Sequence, residues 1–206
     1  MLNEQEKFWF GKFGNKYINR HFIKNRISSR KYFFKKILNK HKSIKTILEF
    51  GCNQGINLRA INLINKKFKL TGVDINKQAI IKLNEWGKSA SHVSSISKFN
   101  SNKKFDLTFV KGLLVHINPN DLKKIYQKLY QYSKKFILIA EYYNPSPVKV
   151  KYRGYKNKLF KRDFASEMLK KYKDLILVDY GFHYHGDTTE SGDDDNWFLL
   201  KKNKSL

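Results

Sequence analysis

The sequence predicts an α/β fold built on one mostly parallel sheet. Apolar runs of strand length alternate with segments of helical spacing through most of the 206 residues, an order typical of parallel strands joined by crossover helices. The last two predicted strands, 175–180 and 197–201, have no helical segment between them. We therefore expect seven strands with helices on both faces, an antiparallel hairpin at one edge, and further helices at the N-terminus.

Local patterns define the elements of the first half. Residues 3–40 carry apolar side chains at mixed spacings of three and four, which predicts helices. The apolar run 46–50 stops at Gly51, as a buried strand does on reaching a loop. After the N-terminal helices we predict strand 46–50, helix 57–65, strand 68–74, helix 78–86, a weak strand at 91–95 and strand 105–110.

The second half continues the alternation. Asn118 and Pro119 open a helix-start signal, and residues 122–132 follow with helical spacing. The run 135–140 is apolar throughout, which indicates a strand buried on both faces. Two prolines then predict a loop from residue 144 to about 160, before a helix over 162–171. We treat residues 1–206 as one domain, with 1–43 as a helical lid or extension and 44–206 as the core.

The formal net charge of +25 allows two interpretations. It suits a polyanionic partner such as RNA, or it reflects a base composition that favours lysine and asparagine codons. The lysines are scattered from Lys7 to Lys204, whereas a nucleic-acid face more often clusters its charge and uses arginine. The scatter favours the second interpretation, and an RNA substrate remains an alternative.

Compartment and class follow from what the sequence lacks. No stretch approaches the ~20 apolar residues of a transmembrane helix, and residues 1–7 do not resemble a signal peptide. The single cysteine, Cys52, cannot form an intramolecular disulfide. We therefore expect a cytoplasmic protein without membrane insertion, and the sequence leaves its oligomeric state open.

A glycine-containing loop follows the first predicted strand, with the sequence Glu49-Phe-Gly-Cys-Asn-Gln-Gly55. Glycines let the chain turn sharply and let a ligand approach the backbone, and the next helix directs its first amides at that ligand. A dinucleotide-binding G-x-G-x-x-G motif would start at Gly51, but Asn53 and Ile56 occupy the other two glycine positions. The loop therefore predicts a different nucleotide-type ligand.

The spacing Glu-x-Gly-x-x-x-Gly resembles the first motif of class I S-adenosylmethionine-dependent methyltransferases, with Asn53 at the family's usual middle glycine. Asp74 ends the next strand, where a carboxylate can accept both ribose hydroxyls; the alternative is that Glu49 and Asp74 only cap loops. The resemblance implies a Rossmann-like fold and S-adenosylmethionine as cofactor, with S-adenosylhomocysteine as product. The candidate cofactor-binding residues are Tyr17, Arg20, Glu49, Gly51, Cys52, Asn53, Gly55, Asn57, Asp74, Ile75, Ser95, Ile96, Lys111 and Gly112.

Several further segments resemble one subfamily, the methylases associated with pseudaminic acid biosynthesis. They occur in order along nearly the whole chain: Phe8-Trp9 with Phe13-Gly14 and Tyr17, 49–55, 111–119, 139–145, 152–154, 158–164, 179–182 and 184–185. The resemblance implies a small sugar-type acceptor, a nonulosonic acid or its nucleotide-linked form. A non-catalytic module that binds S-adenosylmethionine or another nucleotide is a further alternative.

Candidate catalytic residues follow the fourth and fifth strands, where active-site residues of parallel sheets gather. A hydroxyl acceptor needs a base to take its proton, whereas an amine needs only to be neutral. His116 is our first candidate base, although the apolar residues around it also suit a buried, hydrogen-bonded histidine. Glu141 and Tyr142 follow the fifth strand, with a loop anchor as the alternative.

Candidate substrate-binding residues lie in the last third of the chain. A basic and aromatic segment after the prolines could grip a carboxylate or phosphate, and a polar loop follows residue 180. These candidates are Tyr143, Tyr152, Arg153, Lys158, Lys161, Arg162, His183 and His185. His183, His185 and the acids 193–195 are residue types that bind metals, but we interpret this segment as a polar loop and expect no metal.

Overall fold

The computed structural model describes residues 1–18, 23–188 and 191–203, with only the backbone of residues 23–25. Three helices open the chain: α1 (Glu4–Phe10), α2 (Lys12–Ile18) and α3 (Ile23–Leu38). Asn3 caps α1 by accepting from the backbone N–H of Glu6, whose carboxylate accepts from the N–H of Asn3. The predicted N-terminal helices are confirmed. Arg20, a predicted cofactor contact, lies outside the described residues.

Seven strands form one sheet in the order β3-β2-β1-β4-β5-β9-β8. The first five strands along the chain are parallel, whereas β9 is antiparallel to β5 and β8 is antiparallel to β9. This confirms the predicted mostly parallel sheet with its edge hairpin. The strands are β1 (Thr46–Phe50), β2 (Lys69–Asp74), β3 (Ala90–Val93), β4 (Phe105–Lys111), β5 (Ser133–Glu141), β8 (Leu175–His183) and β9 (Asp195–Lys202).

Helices cover both faces of the sheet, as predicted. They are α4 (Ile56–Ile64), α5 (Lys77–Trp86), α6 (Leu122–Tyr132) and α7 (Phe164–Lys171). One apolar core packs α6 and α7 against the sheet, and a second packs α3, α4 and α5 against its other face. In α6, Leu122, Ile125, Tyr126 and Leu129 are buried at the spacing of one helix face. None of the described helices combines the length and apolarity needed to span a membrane.

The predicted loop up to residue 160 is wrong, because this segment forms a second, two-stranded sheet. Strands β6 (Val148–Tyr152) and β7 (Tyr155–Lys161) pair antiparallel. Arg153 and Gly154 join them with φ of 50° and 84°, as a tight hairpin turn requires. The alternation of apolar residues with Lys149 and Lys151 has the two-residue period of a strand, and the nearby prolines obscured it.

The strand order places a crevice beside β1. The connection from β1 leads to β2 on one side, whereas β4 pairs with β1 on the other side after the chain has crossed back from β3. Open α/β sheets bind ligands at such a switch point, outside the carboxyl ends of the strands. Glu49, Asp74 and Lys111 lie at or next to the carboxyl ends of β1, β2 and β4.

Candidate functional site

A cavity of about 400 Å³ lies at the carboxyl ends of β1, β2 and β4. The loop after β1 lines it, together with residues 94–98 and 111–113. Side chains of α1 and α2, among them Trp9 and Tyr17, cover it together with Arg26 and Arg30 of α3. The N-terminal helices therefore lie at the carboxyl ends of the strands, next to the glycine loop.

The glycine loop turns through three residues in the left-handed region. Gly51 has φ of 72°, Asn53 of 49° and Gly55 of 78°. A Cβ on Gly51 would come within 2.7 Å of the Leu113 side chain, and one on Gly55 within 2.3 Å of Leu83. Asn53 substitutes for glycine at its position because asparagine tolerates positive φ better than most residues.

Glu49 is buried directly beneath the loop. Its Oε1 accepts from Nδ2 of Asn57 at 2.6 Å, whereas its Oε2 has no hydrogen-bond partner among the described residues, and neither has Oδ1 of Asn57. Burial raises the pKa of Glu49 well above its usual value. The carboxylate does not line the cavity itself, but Asn57 does.

Asp74 faces the cavity and also fixes the loop. Its Oδ2 accepts from the backbone N–H of Asn53 at 2.7 Å and its Oδ1 from that of Asn76 at 2.8 Å. Burial raises the pKa of this carboxyl, against the opposing effect of those hydrogen bonds. The loop-capping role is therefore present in the structure, and each oxygen still has a second lone pair for a ligand hydroxyl.

The N-terminal helices are tied to the cavity walls by amide side chains. Asn76 donates to the carbonyl oxygen of Trp9 at 3.0 Å, and Gln54 donates to that of Ile18 at 3.0 Å. Gly14 packs so closely on α1 that a Cβ there would lie 1.8 Å from the Trp9 carbonyl oxygen. These contacts hold Trp9 and Tyr17 over the cavity.

His116 lies in the cavity wall, on a short 3-10 helix after β4. Its Nδ1 is 2.6 Å from the carbonyl oxygen of Lys158, which can only accept, so Nδ1 carries the proton and Nε2 has the lone pair. The ring packs against Trp9 and Tyr152, each with a centroid separation of 4.7 Å. Burial lowers the pKa of His116 to about 4, so the imidazole is neutral at physiological pH.

Glu141 and Tyr142 do not line the cavity. The Glu141 carboxylate is buried and accepts from the backbone N–H groups of Leu113 and Leu114 at 2.8 Å each, and from that of Val115 at 3.4 Å. Burial raises its pKa to about 7. The structure thus gives Glu141 the contacts of a loop anchor, the alternative to a catalytic role, and it shapes the segment that carries His116.

The hairpin β6–β7 brings part of the basic and aromatic segment towards His116. Tyr152 packs on the imidazole, and the Arg153 guanidinium lies 5.6 Å from the Tyr152 ring centroid. Lys158 is buried in an ion pair with Glu4, and Arg162 donates to Glu167 at 2.6 Å. Lys158 and Arg162 are therefore engaged within the protein, whereas Arg153 is exposed at the hairpin turn.

Three remaining candidates lie outside the cavity. Lys161 sits over the Tyr142 ring at 5.3 Å, and Tyr143 is exposed near Phe198. His185 is exposed and contacts Asp194. None of these side chains reaches the cavity.

A cluster of buried charged residues lies between α3 and the β8–β9 hairpin, and its cations Arg30 and Lys111 line the cavity. Arg30 pairs with Asp193, Lys111 pairs with Asp195, and His183 lies 3.4 Å from Asp195. Burial lowers the pKa of Lys111, which is only 4% exposed in its side chain. Asp193 and Asp195 thus neutralise two cations of the cavity wall.

No three His, Cys, Asp or Glu side chains of the described residues are grouped to hold a metal.

A comparison with protein families identifies the central part of the chain. Residues 47–135, from β1 to the start of β5, match the family described as methyltransferase domain. The protein is an S-adenosylmethionine-dependent methyltransferase, and S-adenosylmethionine is its cofactor. A search with this chain found no matching sequence among curated proteins.

Solved structures show the same fold over most of the methyltransferase. The plantazolicin methyltransferase BpumL in complex with SAH is 20% identical to this chain, with a TM-score of 0.66. The match covers 97% of this chain and 94% of the BpumL chain. Magnesium protoporphyrin IX methyltransferase from Synechocystis PCC 6803, with bound SAM, is 10% identical, with a TM-score of 0.67 and coverages of 98% and 99%. A Burkholderia thailandensis 1,6-didemethyltoxoflavin-N1-methyltransferase is 13% identical, with a TM-score of 0.64 and coverages of 86% and 80%.

The cavity of the methyltransferase gathers most of the predicted cofactor residues. The lining includes Tyr17, Gly51, Cys52, Asn53, Asn57, Asp74, Ile75, Ser95, Ile96, Lys111 and Gly112. Glu49 and Gly55 lie behind this lining. Sequence reasoning did not select Arg26, Arg30 or Asn76, because a basic residue on an N-terminal helix and an asparagine in a turn have many equivalents in this sequence.

Proposed function

We propose that the enzyme methylates a hydroxyl group of a small acidic sugar, of the nonulosonic type or its nucleotide-linked form. The observation that carries the proposal is the neutral imidazole of His116 in the cavity wall, with Nδ1 bound to a carbonyl and Nε2 left as an acceptor. The sugar class comes from the resemblance of the ordered segments to methylases associated with pseudaminic acid biosynthesis.

The residues around the glycine loop fit the donor. Two polar atoms of the lining are buried without a partner among the described residues, the acceptor Asn57 Oδ1 and the donor Arg30 Nη1, and the acceptor Glu49 Oε2 lies directly behind Asn57. An α-amino acid needs both kinds of group, because its ammonium donates and its carboxylate accepts. We assign the methionine part of the donor to these residues, and the ribose hydroxyls to Asp74 with Ser95 and Ile96 beside the adenine.

The donor supplies an electrophilic methyl group when it is bound, so the protein's remaining task is to orient and deprotonate the acceptor. Nε2 of His116 accepts the hydrogen bond of the acceptor hydroxyl and takes its proton as the oxygen–methyl bond forms. The bond to the Lys158 carbonyl fixes the imidazole orientation and stabilises the charge that the ring acquires. Trp9 and Tyr152 pack on the ring and exclude water.

An acidic acceptor suits the arginine side chains in and beside the cavity. Arg26 lines the cavity near Tyr17 and Asp193, and it forms no salt bridge with the described residues. Arg153 lies at the turn of β6–β7, beside Tyr152. A carboxylate or phosphate on the acceptor would pair with a guanidinium in the bidentate geometry that arginine offers.

The proposal is tested by incubating the protein with the donor and a panel of acceptors, followed by mass spectrometry. The panel contains acidic nine-carbon sugars, their nucleotide-linked forms, neutral sugars and RNA. We expect a product heavier by one CH₂ with an acidic sugar only. Methylation of RNA alone, or of no sugar by protein that binds the donor in calorimetry, would overturn the acceptor assignment while leaving the donor site intact.

A further inference from the structure

Strand β8 forms one edge of the seven-stranded sheet and leaves large apolar side chains in solvent. Ile176, Leu177, Val178, Tyr180 and Phe182 are between 37% and 67% exposed, and Tyr184 beyond the strand is 51% exposed. Edge strands are ordinarily shielded by lysine, proline or other charges that prevent pairing with another chain. Between Leu175 and His183 the only charged residue is Asp179.

The charge distribution singles out the same strand. Residues 174–200 contain no lysine or arginine, the longest such stretch of the sequence, and they contain seven of its 17 acidic residues. Three of these acids are neutralised within the fold, since Asp179 pairs with Lys40, Asp193 with Arg30 and Asp195 with Lys111. In a protein of net charge +25, this edge can approach an identical surface without opposing rows of lysine.

We propose that β8 pairs antiparallel with β8 of a second copy of this chain, which joins the two sheets into one. A two-fold axis at Gly181 sets Tyr180 opposite Phe182 of the second copy. Cross-strand aromatic pairs of this kind stabilise sheets, and glycine leaves the axis free of side chains. Tyr180 and Phe198 are register partners across β8 and β9, and Phe198 contacts Tyr143, so the same sheet face continues the apolar surface.

The exposed apolar area of β8 reaches the threshold for a specific interface between two copies. The exposed parts of the β8 side chains amount to about 500 Å² on each copy if a large side chain offers roughly 150–250 Å². If all of it were covered, two copies would bury about 1,000 Å², the threshold for a specific interface, and the strand edges would add backbone hydrogen bonds. The association also restrains the hairpin whose loop carries Asp193, the partner of Arg30 in the cavity wall.

Sedimentation velocity and light scattering test the dimer. The full chain should have twice its 24.5 kDa mass, and the double variant Tyr180→Lys, Phe182→Lys should be monomeric with an unchanged circular dichroism spectrum. Leu63→Lys is the matched control, because Leu63 is an equally exposed apolar side chain on α4, and it should remain dimeric. Dimerisation should strengthen with added salt, because salt screens the repulsion between two positively charged copies.

Disulfide cross-linking tests the register. Tyr180→Cys and Phe182→Cys proteins should cross-link when they are mixed and oxidised, and each alone should cross-link poorly. A monomeric wild type at high concentration would overturn the proposal. A double lysine variant that still forms dimers would also overturn it. So would a dimer in which the mixed cysteine proteins do not cross-link. An edge that binds an extended peptide instead would leave the free protein monomeric, and that outcome would likewise overturn the proposal.

Discussion

Nδ1 of His116 donates to the carbonyl oxygen of Lys158 across 2.6 Å, and this bond joins the segment after β4 to strand β7. The bond fixes which imidazole nitrogen can accept a proton. It also depends on the hairpin β6–β7, since Lys158 lies on its second strand. The orientation of the candidate base is therefore set by an element more than forty residues further along the chain.

Replacing His116 with glutamine should remove the base while retaining a polar side chain. We expect kcat to fall by about 10²–10⁴, the usual contribution of general base catalysis, with donor affinity within about twofold of wild type. Steady-state kinetics and calorimetry with the donor measure the two quantities. A variant that keeps its kcat would show that the hydroxyl loses its proton without His116.

The pH dependence should report the low pKa of His116. Burial sets it to about 4 in the folded protein, so kcat/KM should be constant near neutrality and fall as the pH drops through about 4. The unfolded chain has an ordinary histidine pKa of about 6.5 and binds more protons between these values. The free energy of unfolding should therefore decrease as the pH falls from about 6.5 to 4, by up to roughly 3 kcal/mol.

The difference between the wild type and His116→Gln isolates this group from the carboxyls that titrate in the same range. Glu141 has the opposite effect on stability. Because its pKa is raised to about 7 in the folded protein, its contribution to the free energy of unfolding decreases as the pH rises. If the two proteins lose stability in parallel on acidification, the histidine is not the group responsible.

Changes at Glu141 should affect folding rather than chemistry. Glu141→Ala leaves three backbone N–H groups without an acceptor, and we expect a loss of about 3 kcal/mol in the free energy of unfolding. Glu141→Gln retains one acceptor oxygen and should lose less. Urea denaturation gives the stabilities, and an inactive Glu141→Gln protein of near-native stability would restore the catalytic assignment.

Asp74 should be required for the donor. Asp74→Ala should weaken donor binding by about 1–3 kcal/mol, the cost of unpairing polar groups in a site. Asp106 provides the control, because its carboxylate also accepts backbone N–H groups, but at the opposite end of the sheet. Calorimetry should show unchanged donor affinity for Asp106→Asn. Equal losses in both variants would indicate a general effect on the fold.

Arg26 should recognise the anionic group of the acceptor. Arg26→Gln should raise KM for an acidic sugar about tenfold, the equivalent of 1.4 kcal/mol, and should change KM for a neutral analogue little. Lys35→Gln on the exposed face of the same helix is the matched control. A tenfold change for acidic and neutral acceptors alike would contradict charge recognition.

Much of the fold could be predicted because its signals are local. The apolar run 135–140 and the loop after Glu49 each fit a pattern of fewer than ten residues. The contacts of the site are not local: Arg30 meets Asp193, and Glu4 meets Lys158, across more than 150 positions. No spacing rule connects such pairs. The sequence accordingly predicted the candidate loop residues, but not which cations of the cavity wall lack an ion-pair partner among the described residues.

The stretch 174–200 without lysine or arginine has a practical consequence for mapping this protein. Trypsin cleaves after those residues, so it cuts most of the chain into short peptides but leaves 174–201 as one fragment. That fragment contains all of β8 and nearly all of β9. Mass-spectrometric footprinting of the sheet edge can therefore be followed in a single tryptic peptide.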